Sequence, residues 1–180
     1  MASKSLASIE AYLKDQPQRP PVEQWQPTLS GDIDIVIKEN GSWWHEGGEI
    51  KRQPLLRLFA SILRREDDGE YYLLTPVEKW RIRVEAEVFQ AIDYQVLQQR
   101  GQPAFIFTLN TGAKYALSKQ YPLQVSSNPQ GEPIPILLVD RGLSARISRN
   151  CYYHLIDDAQ LQGEDAYIES CGERFSLSSQ

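Results

Sequence analysis

In the stretch EKWRIRVE, Lys79, Arg81 and Arg83 occupy every second position and alternate with Trp80, Ile82 and Val84. At the two-residue period of a strand this places three cations on one face and three apolar side chains on the other. A basic row of this kind suits a phosphate or carboxylate, with arginine favoured for bidentate contacts. The competing reading is the wet face of a half-covered sheet. Arg52 and Arg149 are a second signal, because each stands just before a helical pattern. They suggest either a shared structural ion pair or a pseudo-symmetric anion site. Thr75, Asn110 and Thr111 can add neutral hydrogen bonds, although turn chemistry explains the last two equally well.

Catalysis finds less support. The sequence has no Gly-rich phosphate loop, no nucleophile-elbow pattern and no paired-histidine motif, and its two histidines lack clustered cysteines. The acidic run REDDGE lacks the ligand spacing of a calcium loop and reads as a solvated turn. A nucleotide-processing enzyme would have only Glu78 or Glu85 with His45 as its acid–base groups. Binding is therefore the expectation, with no metal and no cofactor. Cys151 and Cys171 are too few for a disulfide framework and are expected as reduced, buried thiols.

The whole chain sets bounds on the partner. Its 180 residues carry a formal net charge of −5, and 41% are hydrophobic. An acidic balance argues against nonspecific binding of nucleic acid but leaves room for one small anion. No apolar run is long enough to span a bilayer. The opening MASKSLASIEAYLKDQ lacks a signal-peptide core and reads as an amphipathic helix with Leu6, Ile9 and Leu13 on one stripe, so a cytoplasmic location without membrane contact is the default.

The elements that must position these residues follow from pattern. Four prolines in QPQRPPVEQWQPTLSG give an extended arm, which Val22 and Trp25 would pin to a core surface. DIDIVIKENG alternates and ends in an Asn-Gly turn, so SWWHE is expected as the return arm of a hairpin. Leu55, Leu58, Phe59 and Ile62 are spaced as a helix, and EYYLL as a strand. Downstream, PIPILLVDRGLSARISRNCYYHLIDDAQLQGEDAYIESCG repeats this order. Ile33, Ile35 and Ile37 line up with Ile134, Ile136 and Leu138, while Arg52 lines up with Arg149 at a register four residues shorter. This reads as an internal duplication of hairpin, helix and strand, the alternative being a chance match of hydrophobic pattern. On this alignment Trp44 falls on Ala145 and is expected in the core. Trp43 and His45 fall on Ser144 and Arg146, facing outward, where Trp43 suits a stacking platform or a domain contact. Between the copies the alternating segment from 77 to 127 predicts four or five antiparallel strands, making the C-terminal part a curved sheet or small barrel with one helix.

The first copy resembles the bacterial family known as domain of unknown function 1285. The positions that carry the likeness are Asn40, Gly41, Trp43, His45, Gly47, Ile50, Arg52, the Leu58-Phe59 helix, Glu66, Asp68, Gly69, and Thr75-Pro76 with Glu78-Lys79. A looser match continues at Gly142, Leu143, Ala145, Arg149 and Tyr153, with departures at Ala86, Val88, Leu109, Ala113 and Asp140. The resemblance implies two duplicated α+β domains, the second pleckstrin-homology-like, and a nucleotide-like ligand at their interface in bacterial signalling. The expected division is an arm over 1–30, an N-terminal domain over 31–78 and a C-terminal domain over 79–180. The function expected first is a non-catalytic sensor holding a small anionic ligand, with Trp43, His45, Arg52, Thr75, Lys79, Arg81, Arg146 and Arg149 as its site. The alternative is a protein-interaction module that binds another chain along exposed strand edges.

Overall fold

The computed structural model describes Ile9 and residues 20–179. Ile9 is helical and buried, and the rest of the expected N-terminal helix lies outside the described residues. The chain divides into two compact units, Met1–Ala86 and Glu87–Gln180.

In the first unit, β1 (Gly31–Ile37), β2 (Trp43–His45) and β3 (Gly48–Ile50) form an antiparallel meander, followed by α1 (Gln53–Ser61). A second meander of β4 (Leu63–Arg65), β5 (Tyr71–Leu74) and β6 (Lys79–Val84) then returns. β6 pairs parallel with β1, which joins the meanders into one six-stranded sheet, β3-β2-β1-β6-β5-β4. The boundary expected at residue 79 is thus displaced, because β6 lies at the middle of this sheet and the first unit ends after it. Ile33, Ile35, Ile37, Leu73 and Ile82 project to one face together with Phe59 of α1, all at most 3% exposed. The arm docks through Pro20 and Val22, both buried. Arg64 Nη1 secures it by donating to the carbonyls of Val22 at 2.9 Å and Trp25 at 3.0 Å.

The second unit begins with the inserted strands β7 (Phe89–Gln99), β8 (Gln102–Leu109) and β9 (Lys114–Ala116). The repeat follows: meander β10 (Leu123–Ser127), β11 (Pro133–Leu138) and β12 (Ser144–Ile147), helix α2 (Arg149–Asp158), and meander β13 (Gln160–Gln162), β14 (Asp165–Ser170) and β15 (Glu173–Ser176). Each unit is therefore meander, helix, meander, a longer duplicated unit than hairpin, helix and strand. The six-stranded sheet β10-β11-β12-β7-β8-β9 is open and pleckstrin-homology-like, with one parallel pairing, β12 to β7, among antiparallel ones. Here the second meander stays a separate three-stranded sheet, so β10 and β15 do not pair as β1 and β6 do.

This topology corrects the alignment of the copies. β1 is equivalent to β10 and β2 to β11, so setting β1 against β11 skipped one strand. The consequence falls on the tryptophans. Trp43 stands opposite Ile37 and Ile50, and residues directly opposite share a face, so Trp43 belongs to the apolar side. It is 3% exposed, with its ring stacked on Phe59 at 6.3 Å between centroids. Trp44 takes the polar face, where Lys38 Nζ sits 4.2 Å from its ring centroid and its Nε1 donates to Ser42 Oγ at 2.9 Å. The expected roles of the two rings are exchanged.

Both cysteines are free thiols. Cys151 is buried in α2, and burial pushes its thiol up to about 12. Cys171, expected buried, is instead exposed in the β14–β15 turn. Among the described residues no helix is long and apolar enough to cross a membrane, and no group of histidine, cysteine and carboxylate side chains is arranged to hold a metal.

Candidate functional site

The basic row of β6 forms as the spacing predicts, and each cation meets a carboxylate. Glu66, on β4's turn, bridges Lys79 Nζ and Arg64 Nη2. Lys79 also lies over Tyr72, 4.3 Å from the ring centroid. Arg81 Nε contacts Asp32 Oδ1 at 2.7 Å, and Arg83 Nη2 contacts Asp34 Oδ1 at 2.9 Å. The parallel pairing of β6 with β1 aligns these partners, since Asp32 stands opposite Arg81. Burial pushes the Glu66 carboxyl up, but hydrogen bonds and charge from Lys79 and Arg64 outweigh it and hold the group below the usual carboxylate range. Arg81 is raised by its hydrogen bond to Asp32. Asp68 accepts the Tyr72 hydroxyl at 2.5 Å, which lowers the acid and raises the phenol to about 12. The turn read as REDDGE is thus the anchor of an ion-pair ladder.

The other predicted residues separate. Trp43 and His45 lie on the helix-covered face of the first sheet, whereas Lys79 and Arg81 lie on the opposite face, so a ring on Trp43 and an anion on Lys79 do not meet within this unit. His45 Nε2 is buried and has no hydrogen-bond partner among the described residues. Thr75 is 2% exposed, and its Oγ1 accepts the amides of Glu78 at 3.0 Å and Val77 at 3.4 Å, which fixes the β5–β6 turn. In the second unit Arg146 Nε lies 2.8 Å from Glu87 Oε2, a largely buried charge pair. Arg52 and Arg149 are exposed, at the N-cap of α1 and the first position of α2. A cation at a helix N-terminus opposes the helix dipole, so neither is placed there for the helix's sake.

A different feature carries more geometry. A groove of about 440 Å³ runs along the edges of β10 and β15, which lie close without forming a ladder, and is lined by Leu123, Val125, Ile136, Arg174, Phe175 and Ser176, among others. Pro133 and Pro135 on β11 have no N–H, which assigns hydrogen-bonded pairing with β10 to Gln124–Ile136 and Ser126–Ile134. The backbone groups of Leu123, Val125 and Ser127 therefore point away from β11. The groove lies where β1 and β6 close the first sheet. The sequence signal for it is the alternate-proline PIPI motif, which fixes which backbone groups of β10 stay outward. That β15 forms no ladder with β10, however, is a tertiary fact.

Two meander-helix-meander units, with an unpaired edge in one and a neutralised charge ladder in the other, define a duplicated two-domain α+β protein. Family models agree: the N-terminal domain of unknown function DUF1285 matches residues 20–87 and its C-terminal domain matches residues 88–177. The chain belongs to the DUF1285 family. It is similar to the crystal structure of a DUF1285 family protein from Silicibacter pomeroyi DSS-3, at 35% identity over 95% of this chain and 94% of that one, with a TM-score of 0.86. A second similar structure, a DUF1285 family protein from Shewanella baltica OS155, is 26% identical over 70% of this chain and 92% of that one, with a TM-score of 0.55. No curated protein matches the chain.

Proposed function

We propose that this protein is a non-catalytic binding protein whose C-terminal unit takes an extended peptide segment along the β10 edge. The observation that carries the reading is the groove between β10 and β15, two strand edges that are equivalent to the paired β1 and β6 of the first unit yet form no ladder. A strand-shaped ligand hydrogen-bonds outward-facing backbone on such an edge, and flanking pockets read its alternate side chains. Leu123, Ile136 and Phe175 supply the apolar lining that would take alternate side chains of the peptide. A random-peptide display screen against the purified chain tests this. Enriched extended peptides should lose at least about tenfold in affinity, about 1.4 kcal/mol, on Val125→Pro, which removes one outward donor. A screen without enrichment, or binders indifferent to that change, would count against it.

A second reading rests on Arg52 and Arg149, exposed cations at the N-terminal ends of both helices. It makes the protein a sensor of a small anionic, nucleotide-like molecule. A thermal-shift screen of nucleotides distinguishes the two: a shift lost on Arg52→Ala supports the sensor, and no shift with any nucleotide removes it.

A further inference from the structure

Among the described residues, the unpaired edge of β7 is longer than any other strand edge. β12 pairs with it only at Phe89, Gln90 and Ala91, after which the chain turns into α2. Beyond a bulge at Ile92, β7 runs on to Gln99 with β8 on one side and no strand on the other. The turn that follows places Arg100 at φ 52 and Gly101 at φ 78, the two-residue primed type. Gln99 and Gln102, which flank it, therefore exchange backbone hydrogen bonds, and so by alternation do Leu97 with Ala104 and Gln95 with Ile106. The backbone groups of Tyr94, Val96 and Gln98 must point outward.

The far side of the same hairpin confirms the parity and supplies the contrast. On β8 the outward groups are taken, since Phe105 N–H donates to Ser170 Oγ at 2.9 Å and Pro103 O accepts the Cys171 amide at 3.0 Å. Of the outward groups at Tyr94, Val96 and Gln98, only the Tyr94 amide has a partner among the described residues, the adjacent Asp93 carboxylate at 2.8 Å. Natural edges are blunted by lysine, by proline or by brevity. Edge strands β3, β4, β9 and β13 have three residues each, and β15 has four, Arg174 among them. DYQVLQQ, residues 93–99, has no lysine, arginine or proline, and it leaves Val96 at 41% and Leu97 at 43% exposure.

We propose that two copies of this chain associate by antiparallel pairing of β7 with its counterpart, about a two-fold axis at Val96. The occupant follows from symmetry and charge. The outward set Tyr94, Val96, Gln98 is centred on Val96, so a second copy run antiparallel satisfies it in full: Val96 exchanges bonds with Val96, and Tyr94 with Gln98. In this register Asp93, the one charged residue of the segment, lies opposite Gln99 and far from its own counterpart. No like charges meet, the two Val96 side chains touch on one face and the two Leu97 side chains approach on the other. This pairing uses neither β10 nor the helix N-termini, so it is independent of the readings above.

Sedimentation velocity on the full chain tests it. The expected mass is twice the 20.6 kDa of one chain. Val96→Pro removes an N–H that bonds nothing among the described residues, and Val96→Lys sets two ammonium groups against each other at the axis. Each should weaken the dimer at least about tenfold. A chain at monomer mass overturns the proposal, as does a dimer indifferent to Val96→Lys, which decides the matter should the proline variant not fold. A monomer that instead binds a display peptide lost on Val96→Lys overturns it in favour of a foreign strand.

Discussion

Trp43 and Trp44 are adjacent in sequence but sit in unlike surroundings. Trp43 packs on Phe59 in the core, whereas Trp44 keeps one face under an ammonium group at the sheet's polar side. Trp43→Ala should cost about 3–5 kcal/mol by urea denaturation through cavity formation. Trp44→Ala should cost about 1 kcal/mol, the scale of an exposed cation–π contact. Equal costs would return Trp43 to the surface. Glu66 gives a prediction in pH. Its folded carboxyl titrates below the ordinary range, so its contribution is complete above the unfolded pKa and is lost as pH falls through the folded one. Glu66→Gln should therefore destabilise by about 1–3 kcal/mol at pH 7 and by much less in strong acid, where the wild-type group is also neutral. Urea midpoints at both pH values measure this. The composition of these residues was legible beforehand, since the alternation of EKWRIRVE did place three cations on one face. Their neutralisation was not, because Asp32, Asp34 and Glu66 reach them only through strand pairing across long separations.

The two helices differ at their first residues. Ser148 caps α2, its Oγ accepting the Cys151 amide at 3.3 Å, whereas Arg52 at the N-cap of α1 makes no side-chain cap. Ser148→Ala should lower stability by about 1 kcal/mol, and Arg52→Asp should raise it by about 0.5–1 kcal/mol, both read by thermal or urea unfolding. A stabilising Arg52→Asp variant would show that the arginine is retained for something other than the fold. Helix positions and strand alternation were plain from period alone, because α1 and β1 each present a single apolar face to one core. The pairing of elements was not. On hydrophobicity β1 fits β11, with Ile134, Ile136 and Leu138, better than its true equivalent β10, with Leu123, Val125 and Ser127, and choosing that neighbour reversed the faces of Trp43 and Trp44.

For the whole molecule, protection from solvent should follow the sheets. β5 and β6, flanked by strands on both sides and burying Leu73, Leu74 and Ile82 to 1% exposure or less, should hold the slowest amides of the first unit. β3 and the outward amide of Val125 should exchange faster by roughly a thousandfold or more, the span between local fraying and global unfolding. Hydrogen exchange read by mass spectrometry or NMR checks this, and uniform protection would contradict it. What the sequence by itself determined is the local content: an acidic chain, two copies of one unit, and the helices and strands within them. These follow from side-chain period and turn chemistry, which act over a few residues. Only the tertiary structure decided which strands neighbour one another, and with that which cations are neutralised, which indole is buried, and why one sheet closes at β1 and β6 while its twin stays open at β10 and β15. Hydrogen-bond partnership between distant strands depends on long-range packing, and an alternating pattern is blind to it.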